Sequence, residues 1–372
     1  MSRKAKQIAV GLLQQAGITV DGTNPWDIQV HDERLWARVM GGGSLALGES
    51  YMDGWWDTPS IDQFIHKLFE ARLEQRVKGD WQALLVGLRC RYTNPQIIRR
   101  AYEIGKRHYD TGNDLFEIML DKRLTYSCGY WRHAENLDQA QEAKLDLICR
   151  KLELEPGMTL LDIGCGWGGL LQYAAEHYGV EGVGVTVSRQ QAELAAERCR
   201  DLPVTIKLED YRSVSGTFDR VASVGMVEHV GWRNYPTFME VAHRSLKPGG
   251  LFLLHTIGTN WSNKSVDPWV ERYIFPNSML PSLALLSSAA EPYFVAEDLH
   301  NFGPYYDRTL LEWERRFREG WPQIAERYGE RFFRMWRFYL LSSAASFRIR
   351  RIQLWQFLLS KGPRPGLVNR IE

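Results

Sequence analysis

Cysteine is scarce in this chain, with five copies in 372 residues. They stand at Cys90, Cys128, Cys149, Cys165 and Cys199. None forms a CxxC pair, and the number is odd, which suits a reducing cytoplasm and argues against a structural zinc. Charge of one sign is also lacking. Lys and Arg number 46 against 45 Asp and Glu, a net charge of +1, so no overall field draws nucleic acid and no nucleic-acid partner is expected. No apolar run reaches the roughly 18 residues that a bilayer crossing needs, so any membrane contact is expected to be peripheral. The residues after Met1 to Lys6 contain no long apolar region, so no signal peptide is expected. Internal repeats and low-complexity segments are missing too. Tryptophan, by contrast, is abundant, with 14 copies. It favours membrane interfaces and ligand walls, but most copies simply fill core.

The chain is organised around Leu160 to Leu170. An apolar run from Met158 to Ile163 reads as a buried strand, followed by spaced glycines and an apolar-periodic helix. A strand that ends in glycines and restarts as a helix lets backbone N–H groups approach a ligand, because no Cβ intervenes. Gly164-x-Gly166-x-x-Gly169 fits the dinucleotide fingerprint. It also fits the S-adenosylmethionine loop of class I methyltransferases. Two features favour the second. Asp162 lies two residues before the first glycine, where a carboxylate can face the cationic end of the cofactor's methionine part. The second strand ends in Thr186-Val187-Ser188, with no acid for a nicotinamide nucleotide's ribose. The same absence departs from a typical methyltransferase, which also has an acid there.

In chain order, residues 3–16 read as an amphipathic helix, Trp26 to Val30 as a strand, and Leu35 to Met40 as a short helix closed by Gly41 to Gly43. Ser60 caps a helix expected to reach about Lys78. Residues 1–78 thus form a small, mostly helical front domain. Residues 79–100 read as a linker within a basic stretch, either lying on anionic lipid or simply solvated. The catalytic domain is expected over 101–372. After a helix from Leu137 to Leu152, strand and helix alternate: strands 158–163, 181–187, 203–207, 218–224 and 251–257, with helices 168–177, 189–199 and 234–245 between them. That alternation predicts an α/β fold, a doubly wound parallel sheet with helices on both faces. Ligands bind such sheets at the carboxyl ends of the strands. Asp162, Thr186, Glu209, Asp210, Gly225 to Glu228 and His255 should therefore ring one crevice. The insert near 273–306 holds an apolar stretch, Met279 to Leu286. It reads equally as a loop packed on the core or as a wall for a long acyl chain. The tail from Leu310 to Phe357 reads as helical and aromatic. From Arg331 onward nine basic residues face one acid, Glu372, a pattern that suits an anionic bilayer surface, a partner subunit or a solvated face.

Candidate reactive side chains in the crevice are Cys128, Glu228, His255 and Tyr306. Each has a plain structural reading alone; at strand ends together they look like a site. Here the chain closely resembles the cyclopropane-fatty-acyl-phospholipid synthases, relatives of the mycolic acid cyclopropane synthases. The resemblance covers nearly the whole chain. Its carrying stretches are GSLALGESYMDGWW (43–56), HYDTGND (108–114), TYSCGYW (125–131), LDIGCGWGG (161–169), VGVTVSRQQ (183–191), VGMVEHVG (224–231), LLHTIG (253–258), VDPWVERYIFPN (266–277), HNFGPYYDRT (300–309) and IQLWQ (352–356).

The resemblance implies a class I, Rossmann-like methyltransferase fold. It implies transfer of the S-adenosylmethionine methyl to a cis double bond of a phospholipid acyl chain, then ring closure through a carbocation deprotonated by bound bicarbonate. Methyl transfer without ring closure is the alternative. By resemblance, the backbone around Cys128 and Ile257 and the side chains of Glu228, His255 and Tyr306 hold the bicarbonate. Tyr126, Ser127, Gly164, Gly166, Thr186, Val187, Gln191, Asp210 and Tyr211 contact S-adenosylmethionine, alongside Asp162. The resemblance further implies a homodimer, with the front domain in lipid contact, on the inner face of the membrane in the cytoplasm.

Overall fold

A computed structural model of the chain describes residues 2–73, 112–262 and 266–364. The helix expected to reach Lys78 ends at Glu70, where Ala71 caps it and Arg72 turns to φ 52°. The expected linker, His108 to Thr111 and the final eight residues lie outside the described residues. Two compact units result. The first takes residues 2–73 together with 266–276 and 307–351, so it draws on more of the sequence than the front 78 residues.

The first unit opens with the helix Ser2–Gln15. Strands β1 (Gln29–Val30) and β2 (Trp56–Asp57) pair antiparallel. Between them the helix Leu35–Met52 runs on past the glycines that were expected to close it. Gly43 takes φ 55°, which breaks the helix axis, and the chain then resumes turning to Met52. Glycine admits the left-handed conformation without ending the helix, which is why the triplet misleads. Trp56, Phe64 and Tyr51 pack with Phe338 of the helix Glu330–Arg348. The arginines Arg331, Arg334, Arg337 and Arg348 of this late helix pair with acids of the same unit. Arg331 pairs with Asp53 at 3.1 Å, Arg334 with Asp57 at 2.7 Å, Arg337 with Glu314 at 2.6 Å and Arg348 with Asp62 and Asp307 at 2.8 Å each.

The second unit is a seven-stranded sheet in the order β5-β4-β3-β6-β7-β9-β8. Its strands are β3 (Thr159–Ile163), β4 (Glu181–Thr186), β5 (Val204–Leu208), β6 (Phe218–Val224), β7 (Leu246–Thr259), β8 (Val295–Asn301) and β9 (Ile352–Ser360). The first five in sheet order are parallel, and β9 lies antiparallel between β7 and β8. Both faces are covered, so neighbouring side chains on one strand enter different cores. Leu161, Val221, Phe252 and Phe357 join one buried cluster, while Leu160, Ala222, Leu253 and Leu358 join the other.

The sequence reading extended the helical tail to Phe357, but Ile352–Ser360 is a strand. All its residues after Ile352 are buried. Two-sided burial removes the alternation that marks a half-exposed strand. The apolar insert is likewise structured. Its helix Leu283–Ala290 is capped by the Ser282 hydroxyl, which accepts from the Leu285 N–H at 3.2 Å, and Met279, Leu286, Ala289 and Ala290 are buried in the sheet's core.

A core role for this segment has a measurable consequence. Leu286→Ala should lower stability by about 2–5 kcal/mol, the range for a truncated core leucine. Thermal and urea unfolding read it; unchanged stability would return the segment to the role of an acyl-chain wall.

Candidate functional site

The order of strands reverses between β3 and β6, and the crevice lies beyond the carboxyl end of β3, as the switch-point rule requires. Gly164 at φ 86°, Gly166 at φ 54° and Gly168 at φ 80° carry the chain from β3 into the helix Gly169–Tyr178. The N–H groups of Gly164 and Cys165 both donate to the Val185 carbonyl at 3.0 Å, which holds the turn against β4. A Cβ on Gly164 would lie 2.5 Å from the Met226 side chain. Only glycine fits there.

A cavity of about 180 Å³ opens over this turn. Tyr126, Ser127, Asp162, Gly164, Gly166, Thr186, Val187, Gln191, Asp210 and Tyr211 all line it. At the end of β4 the Thr186 hydroxyl donates to Gln191 Oε1 at 2.9 Å and accepts from the Ser188 N–H at 3.2 Å. Asp210 is held by its neighbour: Arg212 donates from Nε at 2.7 Å and from Nη2 at 2.8 Å. Asp162 is buried, its Oδ1 has no partner among the described residues, and burial pushes its pKa up to about 7 while Lys144 pulls it back. An unpartnered buried carboxyl beside a glycine cradle offers an acceptor to a ligand's ammonium group, and the cradle offers backbone N–H donors.

Cys128, Glu228, His255, Ile257 and Tyr306 do not line this cavity. All but Ile257 are fully buried. Glu228 Oε1 accepts from the Ile257 N–H at 2.7 Å, so the amide of Ile257 is spent on Glu228. Glu228 Oε2 has no partner among the described residues. Burial raises this carboxyl to about 7, against the smaller lowering by its own and the Ile257 N–H and by the Thr256 hydroxyl. His255 contacts the Gln356 amide through Nδ1 at 3.3 Å, and its Nε2 has no partner. Burial, with the charges of Lys144 and Lys151, holds this ring neutral well below the usual histidine range. Phe302 touches both the His255 ring (5.7 Å between centroids) and Tyr130 (5.4 Å). It thereby brings the segments that carry Cys128 and Tyr306 to the same corner.

Two buried residues at the site were missed. Lys144 lines the cavity and donates to the Ser127 hydroxyl at 3.0 Å. Its signal was present: a lysine in the buried stripe of Leu137, Gln141 and Ile148 on the helix Leu137–Lys151. Gln356 sits opposite His255 in the β7–β9 register. That pairing joins residues 101 positions apart, and nothing local to either one signals it.

The mycolic acid cyclopropane synthetase family matches residues 96–357. The chain is 52% identical to the cyclopropane-fatty-acyl-phospholipid synthase of Escherichia coli K12, over 97% of this chain and 94% of that protein. Among solved structures, the cyclopropane synthase MmaA2 of Mycobacterium tuberculosis is 31% identical with a TM-score of 0.66, covering 70% of this chain and 98% of its own. Mycolic acid cyclopropane synthase CmaA1, complexed with SAH and CTAB, is 33% identical with a TM-score of 0.66 over 70% and 98%. The chain therefore belongs to the mycolic acid cyclopropane synthetase family, with the class I fold of an S-adenosylmethionine-dependent methyltransferase.

Proposed function

We propose that the protein adds the S-adenosylmethionine methyl carbon to the cis double bond of an unsaturated acyl chain in a membrane phospholipid and closes a cyclopropane ring. The phospholipid, rather than a mycolic acid, is supported by the 97% span of the likeness to the Escherichia coli enzyme, which includes the front residues ahead of 96. The observation that carries the chemistry is the pair of buried atoms left without partners, Glu228 Oε2 and His255 Nε2.

S-adenosylmethionine supplies, when bound, an electrophilic methyl on a sulfonium. The chain's part is to bind it, keep water out and manage a proton. Ring closure releases one proton, and a buried site needs a basic atom to take it. Glu228, His255 and Tyr306, with the backbone around Cys128 and Ile257, would hold bicarbonate, which supplies a small basic anion there. The Ile257 N–H fixes Oε1 of Glu228, which leaves Oε2 to accept an O–H. With Gln356 donating to Nδ1, His255 presents Nε2–H as a donor. The acyl substrate resides in a bilayer, and no helix among the described residues is long and apolar enough to cross one. We therefore also propose peripheral contact with the membrane's cytoplasmic face, by a homodimer.

Three outcomes follow from this reading. Unsaturated phospholipid vesicles incubated with labelled cofactor should yield a product whose proton NMR shows the far-upfield ring hydrogens. A methyl or methylene branch without them would favour transfer without closure, and unaltered lipid would refute the reading. Glu228→Gln and His255→Ala should each cut turnover by about 10²–10⁴-fold, the usual contribution of a placed proton-handling group, while calorimetry finds cofactor binding little changed. Full rate in either variant, in bicarbonate-depleted buffer, removes the assigned roles.

The pH dependence follows from Glu228. Its carboxylate form accepts from the anion, so kcat/KM should rise with pH and level off above about pH 7. The folded pKa lies above the ordinary 4.5, so the folded state holds a proton that the unfolded chain has released. Stability attributable to Glu228 is thus present at low pH and is lost as pH rises from about 4.5 to about 7. Glu228→Gln should flatten that part of the stability profile, which melting curves across pH will read.

A further inference from the structure

We propose that Lys144 binds the carboxylate of S-adenosylmethionine, while Asp162 in the same cavity takes its ammonium group. This deepens the cofactor reading and rests on it.

Lys144 projects from the helix Leu137–Lys151 into the cavity and is 1% exposed. An ammonium has three donors. Among the described residues the Ser127 hydroxyl is its one hydrogen-bond acceptor. Asp121, the nearest acid by electrostatic effect, is already engaged: its carboxylate accepts from the N–H groups of Arg123 at 2.9 Å and Thr125 at 2.8 Å, and from the Thr125 hydroxyl. Lys144 therefore keeps donors to spare for whatever enters the cavity that it lines. Burial accordingly lowers its pKa to about 8. A buried cation short of partners is costly unless something accepts from it.

Asp162 is the mirror case, a buried carboxylate with Oδ1 unpartnered. The lining of the cavity thus offers a cation and an anion, each incomplete. A zwitterionic α-amino acid end completes both at once. A pyrophosphate does not, because it would set negative charge against Asp162. If Lys144 served only to neutralise Asp162, the ligand's carboxylate would make no difference to affinity, and that is the point to measure.

The test is calorimetry on the full chain with two non-reactive ligands. One is S-adenosylhomocysteine. The other is 5′-deoxy-5′-(3-aminopropylthio)adenosine, which keeps the adenosine, sulfur and ammonium but lacks the carboxylate. The unaltered protein should bind the first at least about ten-fold more tightly, the size of one charge-assisted contact. In Lys144→Met the first ligand should weaken about ten-fold and the second hardly change, so the preference collapses. Equal binding of the two ligands by the unaltered protein overturns the inference without recourse to any variant. So does an equal loss of both in Lys144→Met, which would make Lys144 a support for the pocket wall. Binding of neither ligand overturns the cofactor reading and this inference with it.

Discussion

The end of β3 is the constraint on which the catalytic unit depends. β3 pairs with β4 on one side and β6 on the other, and the chain leaves it through three glycines at positive φ. The turn is pinned by two bonds to one carbonyl, that of Val185. It is crowded from the β6 side by Met226, which leaves no room for a Cβ at Gly164. Backbone can therefore approach a ligand closely, and the N-terminus of the helix Gly169–Tyr178 opens at that point. The two buried cores on either face of the sheet hold this turn in place, so the crevice inherits the rigidity of the interior.

Against that rigid frame the site stores electrostatic cost. Asp162, Lys144, Glu228 and His255 are all buried, and burial opposes the charged form of each. A protein selected for stability alone would replace such groups by apolar ones. Their presence, with Asp162 Oδ1, Glu228 Oε2 and His255 Nε2 left unpaired among the described residues, is the pattern of a site that ligands complete. Under the function and the inference proposed above, that cost falls at two places: Asp162 and Lys144 facing the cofactor's zwitterionic end, and Glu228 and His255 facing an anion.

Much of this was legible in the sequence because it rests on local pattern. From Met158 to Arg244 the alternation reproduces strand and helix within a residue or two, helped by bounding glycines and caps such as Ser188, but the strand expected at 251–257 begins five residues earlier, at Leu246. The glycine loop and Asp162 were readable for the same reason. What escaped depends on distant pairing. β9 carries no alternation because both its faces are buried, so it merged with the helical tail before it. Gly43 was read as a helix end because a left-handed glycine looks the same whether the helix stops or only bends. The late run of basic residues suits a bilayer surface, a partner subunit or a solvated face, yet Arg331, Arg334, Arg337 and Arg348 are paired with acids 23 or more positions away in the sequence. Composition counts charges but cannot pair them.

The two sets of site residues occupy different places, and their separation bears on the chemistry. The ten cofactor candidates line the cavity, and the five anion candidates do not. Yet Ser127 lines it and Cys128 follows; Met226 and His229 line it and Glu228 lies between them; Val224 lines it and is the register partner of His255. Cys128, Glu228 and His255 are therefore neighbours of lining residues without lining the cavity themselves. A base held by these residues in the proposed reaction is set apart from the cofactor's own pocket. In the proposed reaction the separation matters, because a base in direct contact with the sulfonium would compete with the weakly nucleophilic double bond for the methyl.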